Sequence, residues 1–246
     1  MRKWAKWWPM AERSLNDVPK PVLAILAGAL ALQISLKMAH PVLPPTASDL
    51  QPPPSQASLQ LASLGDPIPL AKLLMLYLQS FDYQAVNRVP FQDLNYDSVQ
   101  QWLLRILWLD PRGQYPLLAA SRLYAEVPNQ GKARQMLEFV YRQFTDDPDR
   151  RWPWLAHAAA IAKHRLNDLP LAKRYAAAIQ KHATGPNVPL WAKQMEIFIL
   201  EDMNELETAR IMIGGFLSSG TIRDPGEIRF LDQRLRDIEA RLKSQR

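Results

Sequence analysis

Few side chains in this chain could do chemistry. Histidine occurs four times, at His40, His157, His164 and His182. On one helix His157 and His164 would share a face but stand two turns (~10 Å) apart, too far to hold one metal ion together. There is no i, i+4 histidine pair and no Cys to complete a ligand set. Asp146, Asp147 and Asp149 cluster, but without the Gly and closing Glu of a calcium loop, so they read as turn residues at a helix end. Gly214-Gly215 falls within an apolar helical stripe and makes no phosphate loop, and the serines lack a nucleophile-elbow context. No acid/base or nucleophilic set assembles, so the sequence predicts no catalytic residue, no metal and no cofactor. The opposing expectation is an enzyme with an unrecognised site of His and acid residues near His157 and His164.

The elements that would position any site follow from composition and periodicity. The 246 residues are 48% hydrophobic, with 9 Gly, 21 Pro and no Cys. Absence of Cys removes disulfides, thiolate metal sites and Cys nucleophiles at once, and fits either side of a bacterial inner membrane. The net charge of +6 suggests nucleic acid until it is mapped. Residues 1–40 hold Arg2, Lys3, Lys6, Arg13, Lys20 and Lys37 against Glu12 and Asp17, a surplus of four. From 59 onward, 24 basic residues face 21 acidic ones, the mixed pattern of solvated helical surfaces. The body carries no nucleic-acid footprint.

Residues 21–36, PVLAILAGALALQISL, are uncharged. Extended to 39, with Lys37 able to snorkel, the run approaches the ~20 residues that cross a bilayer as a helix. The lead over 1–20 places Trp4, Trp7 and Trp8 among basic residues, and Lys20 and Lys37 flank the apolar run. Indoles favour the headgroup zone and Lys/Arg the cytoplasmic side. The expectation is a single-pass signal anchor over 21–39 in a bacterial inner membrane, N-terminus cytoplasmic and the rest periplasmic. A cleaved signal peptide, a buried soluble helix and a mitochondrial presequence compete with it. Lys37-Met38-Ala39 makes a poor cleavage site, and Glu12 and Asp17 count against a presequence. Residues 40–58 are Pro-, Ser- and Gln-rich and read as a semi-rigid spacer.

From 59 to 223 the apolar spacing is helical and no strand pattern interrupts it. Expected helices cover 66–81, 99–111, 115–127, 131–144, 152–166, 170–182, 190–203 and 207–220. The octapeptides LNDLPLAK (166–173) and MNELETAR (203–210) match position by position, thirty-seven residues apart. Aligning them puts Ala133, Ala172 and Ala209 in one column, with Val99 as a looser member; the spacings are 34, 39 and 37. Apolar residues follow at +4 (Leu103, Leu137, Ala176, Ile213) and +7 (Ile106, Val140, Ile179, Phe216), one stripe along a helix. The small residue admits a close partner helix, and the Asn-acid pair before it supplies a turn and a cap. A fixed-period column of this kind predicts helix–turn–helix units that bury their faces by stacking. A non-repetitive helical bundle is the competing expectation.

Here the sequence resembles the tetratricopeptide family over about 69–220. The turn into that family's second helix has the form of Asn167-Asp168-Leu169-Pro170-Leu171-Ala172 and Asn204-Glu205-Leu206-Glu207-Thr208-Ala209. Leu107-Trp108-Leu109-Asp110-Pro111 resembles its end of a repeat, and Leu117, Ala120, Ser121 and Tyr124 fit its first-helix pattern. Ile197 replaces the small first-helix residue in the last unit, and Pro is missing after the later units. The resemblance implies an α-solenoid of helix–turn–helix repeats, so that with the apolar run before it the chain is expected to be all-α, a membrane helix followed by an α-solenoid. It also implies a concave groove from Tyr115, Leu118, Arg122 and Glu126, then Trp154, His157, Ile161, His164 and Arg165, then Trp191, Gln194, Phe198 and Asp202. Trp152 and Trp154 beside Arg150 and Arg151 are its most distinctive part, although tryptophans also seal inter-helix cores. The family's carboxylate-clamp Lys and Asn are not present, so no ligand carries over.

Residues 224–246 close the chain with Ile228, Leu231, Leu235, Ile238 and Leu242 on one stripe of a charged helix. A cap on the open end of the array and a helix for a partner or for self-pairing both fit. The whole reads as a non-catalytic, membrane-anchored scaffold for protein–protein interaction in the bacterial envelope. Its expected partners are other membrane or periplasmic proteins and the lipid bilayer, with no nucleic acid and no small-molecule substrate; a chaperone-like assembly factor is the alternative.

Overall fold

The computed structural model describes residues 18–39, 50–80, 91–220 and 222–245. The chain divides into two compact units, Met1–Thr46 and Ala47–Arg246. Among the described residues every regular element is helical.

In the first unit, α1 (Lys20–Ala39) begins where Pro19 offers its carbonyl to the Val22 N–H. Its apolar side chains point all round the axis and lie open: Ile25 is 72% exposed and Met38 78%. Among the described residues no single helix is long and apolar enough to cross a membrane, the apolar stretch of α1 being Lys20–Leu36. Trp4, Trp7 and Trp8 lie outside the described residues, as does the side chain of Lys37.

The second unit is a run of helices in which the larger contacts join elements near in sequence. Helices α2 (Gln56–Ala62) and α3 (Pro67–Ser80) are bent by 114° through Leu64 and Gly65, both at positive φ. Together they have the apolar content of a broken span. Leu59, Ala71, Met75 and Leu78 are buried in the core of the unit, which identifies the pair as the first layer of the body. Then follow α4 (Tyr96–Leu109), α5 (Tyr115–Ala119) running into a π-helical turn (Ala120–Tyr124), and α6 (Gln130–Phe144). The chain continues with α7 (Pro148–His164), α8 (Leu169–His182), α9 (Leu190–Lys193), α10 (Met195–Asp202), α11 (Leu206–Ser218) and α12 (Pro225–Ser244).

Three expectations about these elements change. The end of the expected spacer over 40–58 belongs to the body, because Leu50 is 2% exposed in the core and Trp102 Nε1 donates to the Gln51 carbonyl at 2.7 Å; residues 40–49 lie outside the described residues. Ser55 then caps α2 by accepting the Ser58 N–H, so helix begins before residue 59. The helix expected over 115–127 widens into the π turn at Ala120. The helix expected over 190–203 breaks at Gln194, whose N–H is held by the Leu190 and Trp191 carbonyls. The sequence periodicity is blind to all three, since each depends on backbone groups or on partners far along the chain.

The repeated octapeptide acquires a physical explanation. Asn167 and Asn204 both sit in the left-handed region, at φ 51° and 57°. Asn reaches that region more cheaply than other non-Gly residues. Asp168 accepts the Leu171 N–H at 2.9 Å and pairs with Arg134 at 2.6 Å, and both contacts hold its carboxyl below the usual range. Glu205 makes no side-chain cap; it reaches Lys173 at 2.7 Å instead and ties α11 to α8. Ala133, Ala172 and Ala209 are fully buried, as are Leu137, Ala176 and Ile213 four residues on. The core is in two parts: one runs from Leu50 to Ile199, and the other joins Ile197, Leu200, Ile213, Leu231 and Ile238 at the C-terminal end. Leu231 and Ile238 of α12 are buried, with Leu235 and Leu242 packed against the second part, so four of the five stripe residues cover that core while Ile228 stays 40% exposed.

Two outcomes follow for stability, both measurable by urea unfolding. Ala172→Leu forces a larger side chain into a filled helix interface and is expected to cost about 1–3 kcal/mol. Asn167→Ala is expected to cost about 1 kcal/mol through its left-handed backbone, while Asn167→Gly stays within a few tenths.

Candidate functional site

The groove expected from the first helices is only partly present as a surface. Tyr115 and Trp191 are exposed, at 47% and 52%, and Arg122, His164, Arg165 and Asp202 also face solvent. Gln194 is 1% exposed and Ile161 7%, so neither can meet a partner. The break before Met195 turns the Gln194 side chain inward, where its Nε2 has no hydrogen-bond partner among the described residues.

Several of the remaining groove residues are occupied by other side chains of the body. Trp154 Nε1 donates to Gln114 Oε1 at 2.7 Å, which locks the indole to the α4–α5 turn. Trp152 meets Trp191 edge to face with centroids 5.3 Å apart, a contact that joins α7 to α9. Phe198 lies beside Phe230, 6.3 Å between centroids, with the Arg234 guanidinium 5.1 Å from its ring, so α12 covers it. Asp202 is ion-paired with Lys163.

His157 is the most perturbed of the predicted set. Its Nε2 lies 3.5 Å from Glu126 Oε1, yet burial and the positive Arg122 nearby outweigh that carboxylate and lower its pKa. No metal site forms around it: among the described residues no group of three His, Cys, Asp or Glu side chains could hold an ion. The arrangement is a neutral imidazole held between elements.

The concave places lie elsewhere. One, of about 880 Å³, opens between α9, α11 and the start of α12; of the predicted residues only Trp191 lines it. A second, of about 410 Å³, lies between α3, the end of α4 and Tyr115. A third, of about 630 Å³, gathers Arg105, Arg112, Arg150 and Arg151 with Trp108 near the ends of α4 and α6. The sequence sets Arg150 and Arg151 beside the tryptophans of α7, but their neighbours here come from α4 and the turns. Arg151 is 4% exposed: its Nη1 donates to the Gln143 carbonyl at 2.5 Å and its Nη2 to the Pro111 carbonyl at 3.1 Å. No sequence signal marks an Arg as the joint between two distant turns.

No protein-family model, curated protein or solved structure matches this chain.

The electrostatics of His157 give a checkable outcome. Its NMR titration is expected to fall below the ordinary 6.5, and Arg122→Gln is expected to move it upward by removing a positive neighbour. A histidine with a depressed folded pKa contributes stability that is full above its unfolded pKa and is lost as pH falls through the folded one. Unfolding midpoints measured between pH 7 and pH 5 therefore decline less in His157→Gln than in the native chain.

Proposed function

We propose that this protein is a non-catalytic scaffold of the bacterial envelope, anchored in the inner membrane by α1 and presenting a helical-repeat body to other envelope proteins. The observation that carries the anchor is the exposure of apolar side chains all round α1: Val22, Ile25, Leu26, Leu30, Leu32, Ile34, Leu36 and Met38 are each at least half exposed. A helix that is apolar all round is buried in a large core or in lipid. At 20 residues α1 is ~30 Å long, about the thickness of the hydrocarbon layer. The apolar stretch Lys20–Leu36 reaches that length only with the three helical residues after it, Lys37, Met38 and Ala39.

The repeat reading is supported by the buried alanine column and by the left-handed Asn at both octapeptides. It is also supported by helices that pack mainly on their sequence neighbours, as stacked units do. The interaction role rests on large exposed apolar and aromatic side chains along the body, among them Leu73, Leu76, Trp108 and Trp191. The surplus of Lys and Arg within the first forty residues, most of it ahead of the apolar run, favours a cytoplasmic N-terminus.

Reporter fusions test the topology. Alkaline phosphatase joined after residue 245 is expected to be active, and green fluorescent protein at the same place dark. The reverse result would move the body to the cytoplasm. Recovery of the full chain in the soluble fraction without detergent would remove the anchor.

A further inference from the structure

The arginine-rich concavity beside Trp108 has no counterpart among the expected sites. Its walls are Leu104, Arg105 and Trp108 of α4, Arg112 of the following turn, and the first turn of α7 with the two acids before it. Four guanidiniums and two carboxylates meet there. Arg150 pairs with Asp147 at 2.9 Å and Arg151 with Asp146 at 3.4 Å. Among the described residues no carboxylate pairs with Arg105 or Arg112, so the concavity keeps two uncompensated positive charges.

Two further observations distinguish this place from an ordinary charged surface. Arg151 is 4% exposed and fixed by two backbone carbonyls, yet its Nε has no hydrogen-bond partner among the described residues. The Nε of Arg105 is likewise buried without one. A buried donor left unmatched costs roughly 1–3 kcal/mol, so both guanidiniums are held at a cost by the surrounding fold. Leu104 and Trp108, each 42% exposed, supply an apolar wall beside the charge.

We infer that this concavity binds an acidic peptide segment, with carboxylates on Arg105 and Arg112 and a neighbouring apolar side chain against Trp108 and Leu104. The inference rests on the reading of the body as a protein-interaction surface, and it names the chemistry of the partner. Guanidiniums take carboxylates in bidentate geometry, and a tryptophan face takes an aliphatic or aromatic side chain. Asp146, whose side chain is 64% exposed, repels a dense polyanion but accepts a peptide N–H or a lysine, which favours a mixed-sign protein segment over nucleic acid or polyphosphate.

The test uses the full chain in detergent, a peptide array and two variants. The array holds octapeptides of three classes: Asp/Glu with apolar residues, Lys with apolar residues, and Asp/Glu with Ser and Gly alone. Binding is expected to concentrate in the first class and to weaken as salt rises. Arg105→Gln with Arg112→Gln is expected to weaken it at least tenfold, and Trp108→Ala several-fold, with helicity and melting temperature retained. The result that overturns the inference is no enrichment of the first class, or an enrichment that survives the double variant. Equal capture of the acidic class without apolar residues would also overturn it, as would binding to phosphatidylglycerol vesicles lost in the double variant while no peptide binds. Failure here leaves the reporter-fusion result untouched, and failure of the anchor leaves the peptide result untouched.

Discussion

The helical body depends on how closely α7 and α8 can approach. Ala156, Ala158, Ala159 and Ala162 are buried on α7, and Ala172, Ala176 and Ala178 on α8. Side chains this small bring helix axes toward the near end of the usual 8–10 Å range. Close axes require a short connection, and Arg165 to Asp168 is all the chain there is between the two helices. So short a reversal needs one residue at positive φ, which Asn167 provides, and a cap on the next helix, which Asp168 provides. The octapeptide is the local consequence of a packing distance. Its second copy keeps the left-handed Asn204 but gives the acid a different role, since Glu205 leaves the cap unmade and binds Lys173 of α8. A half-exposed ion pair of this kind contributes at most about 1 kcal/mol, so that exchange alters geometry more than stability.

A second constraint joins helices that are not paired by a turn. Arg151 binds the Pro111 carbonyl after α4 and the Gln143 carbonyl near the end of α6, and it pairs with Asp146. The carbonyls left over at helix ends need donors, and a guanidinium can serve two ends at once. Tyr96 adds a similar link by donating its hydroxyl to the Tyr124 carbonyl at 2.9 Å, where the π turn ends. Burial raises the Tyr96 pKa well above its usual value, so the hydroxyl stays a donor throughout the physiological range. Polar joints of this kind fix the relative positions of layers whose apolar contacts alone would allow sliding.

The sequence discloses the features that depend on near neighbours and hides those that depend on distant ones. The stripe from Ala172 through Ala176 to Ile179 and the start of α8 at its Asn-acid turn are local, and both appear where the spacing puts them, whereas α7 begins at Pro148, ahead of the expected 152. The π turn at Ala120 and the break at Gln194 are not local. Nothing in LLAASRLY or WAKQMEIF weakens helix propensity enough to announce an interruption. Leu50 shows the same limit in a Pro-rich stretch, since its place in the core goes with the bond that Trp102, far along the chain, makes to the adjacent Gln51 carbonyl. The predicted groove failed in part for a related reason. Assigning Gln194 to a surface required a continuous helix, which the break between α9 and α10 denies it, while Ile161 is buried within the unbroken α7.

That partial failure changes where a partner can be sought. Trp152, Trp154 and Phe198 are the aromatics most suggestive of recognition in the sequence, and each is engaged inside the body. An aromatic that already fills a contact offers little new buried area to a partner, whereas an exposed one beside guanidiniums without a carboxylate partner offers both area and charge. Trp108 is of the second kind. It sits in a phrase, LWLDP, that sequence logic assigns to ending a helix, and Arg105 and Arg112 flank it with no ion partner among the described residues. Ending the helix at Asp110 is what turns the chain so that Arg112 faces back toward Trp108 across the same concavity. One short stretch thus serves architecture through its backbone and leaves its side chains for recognition.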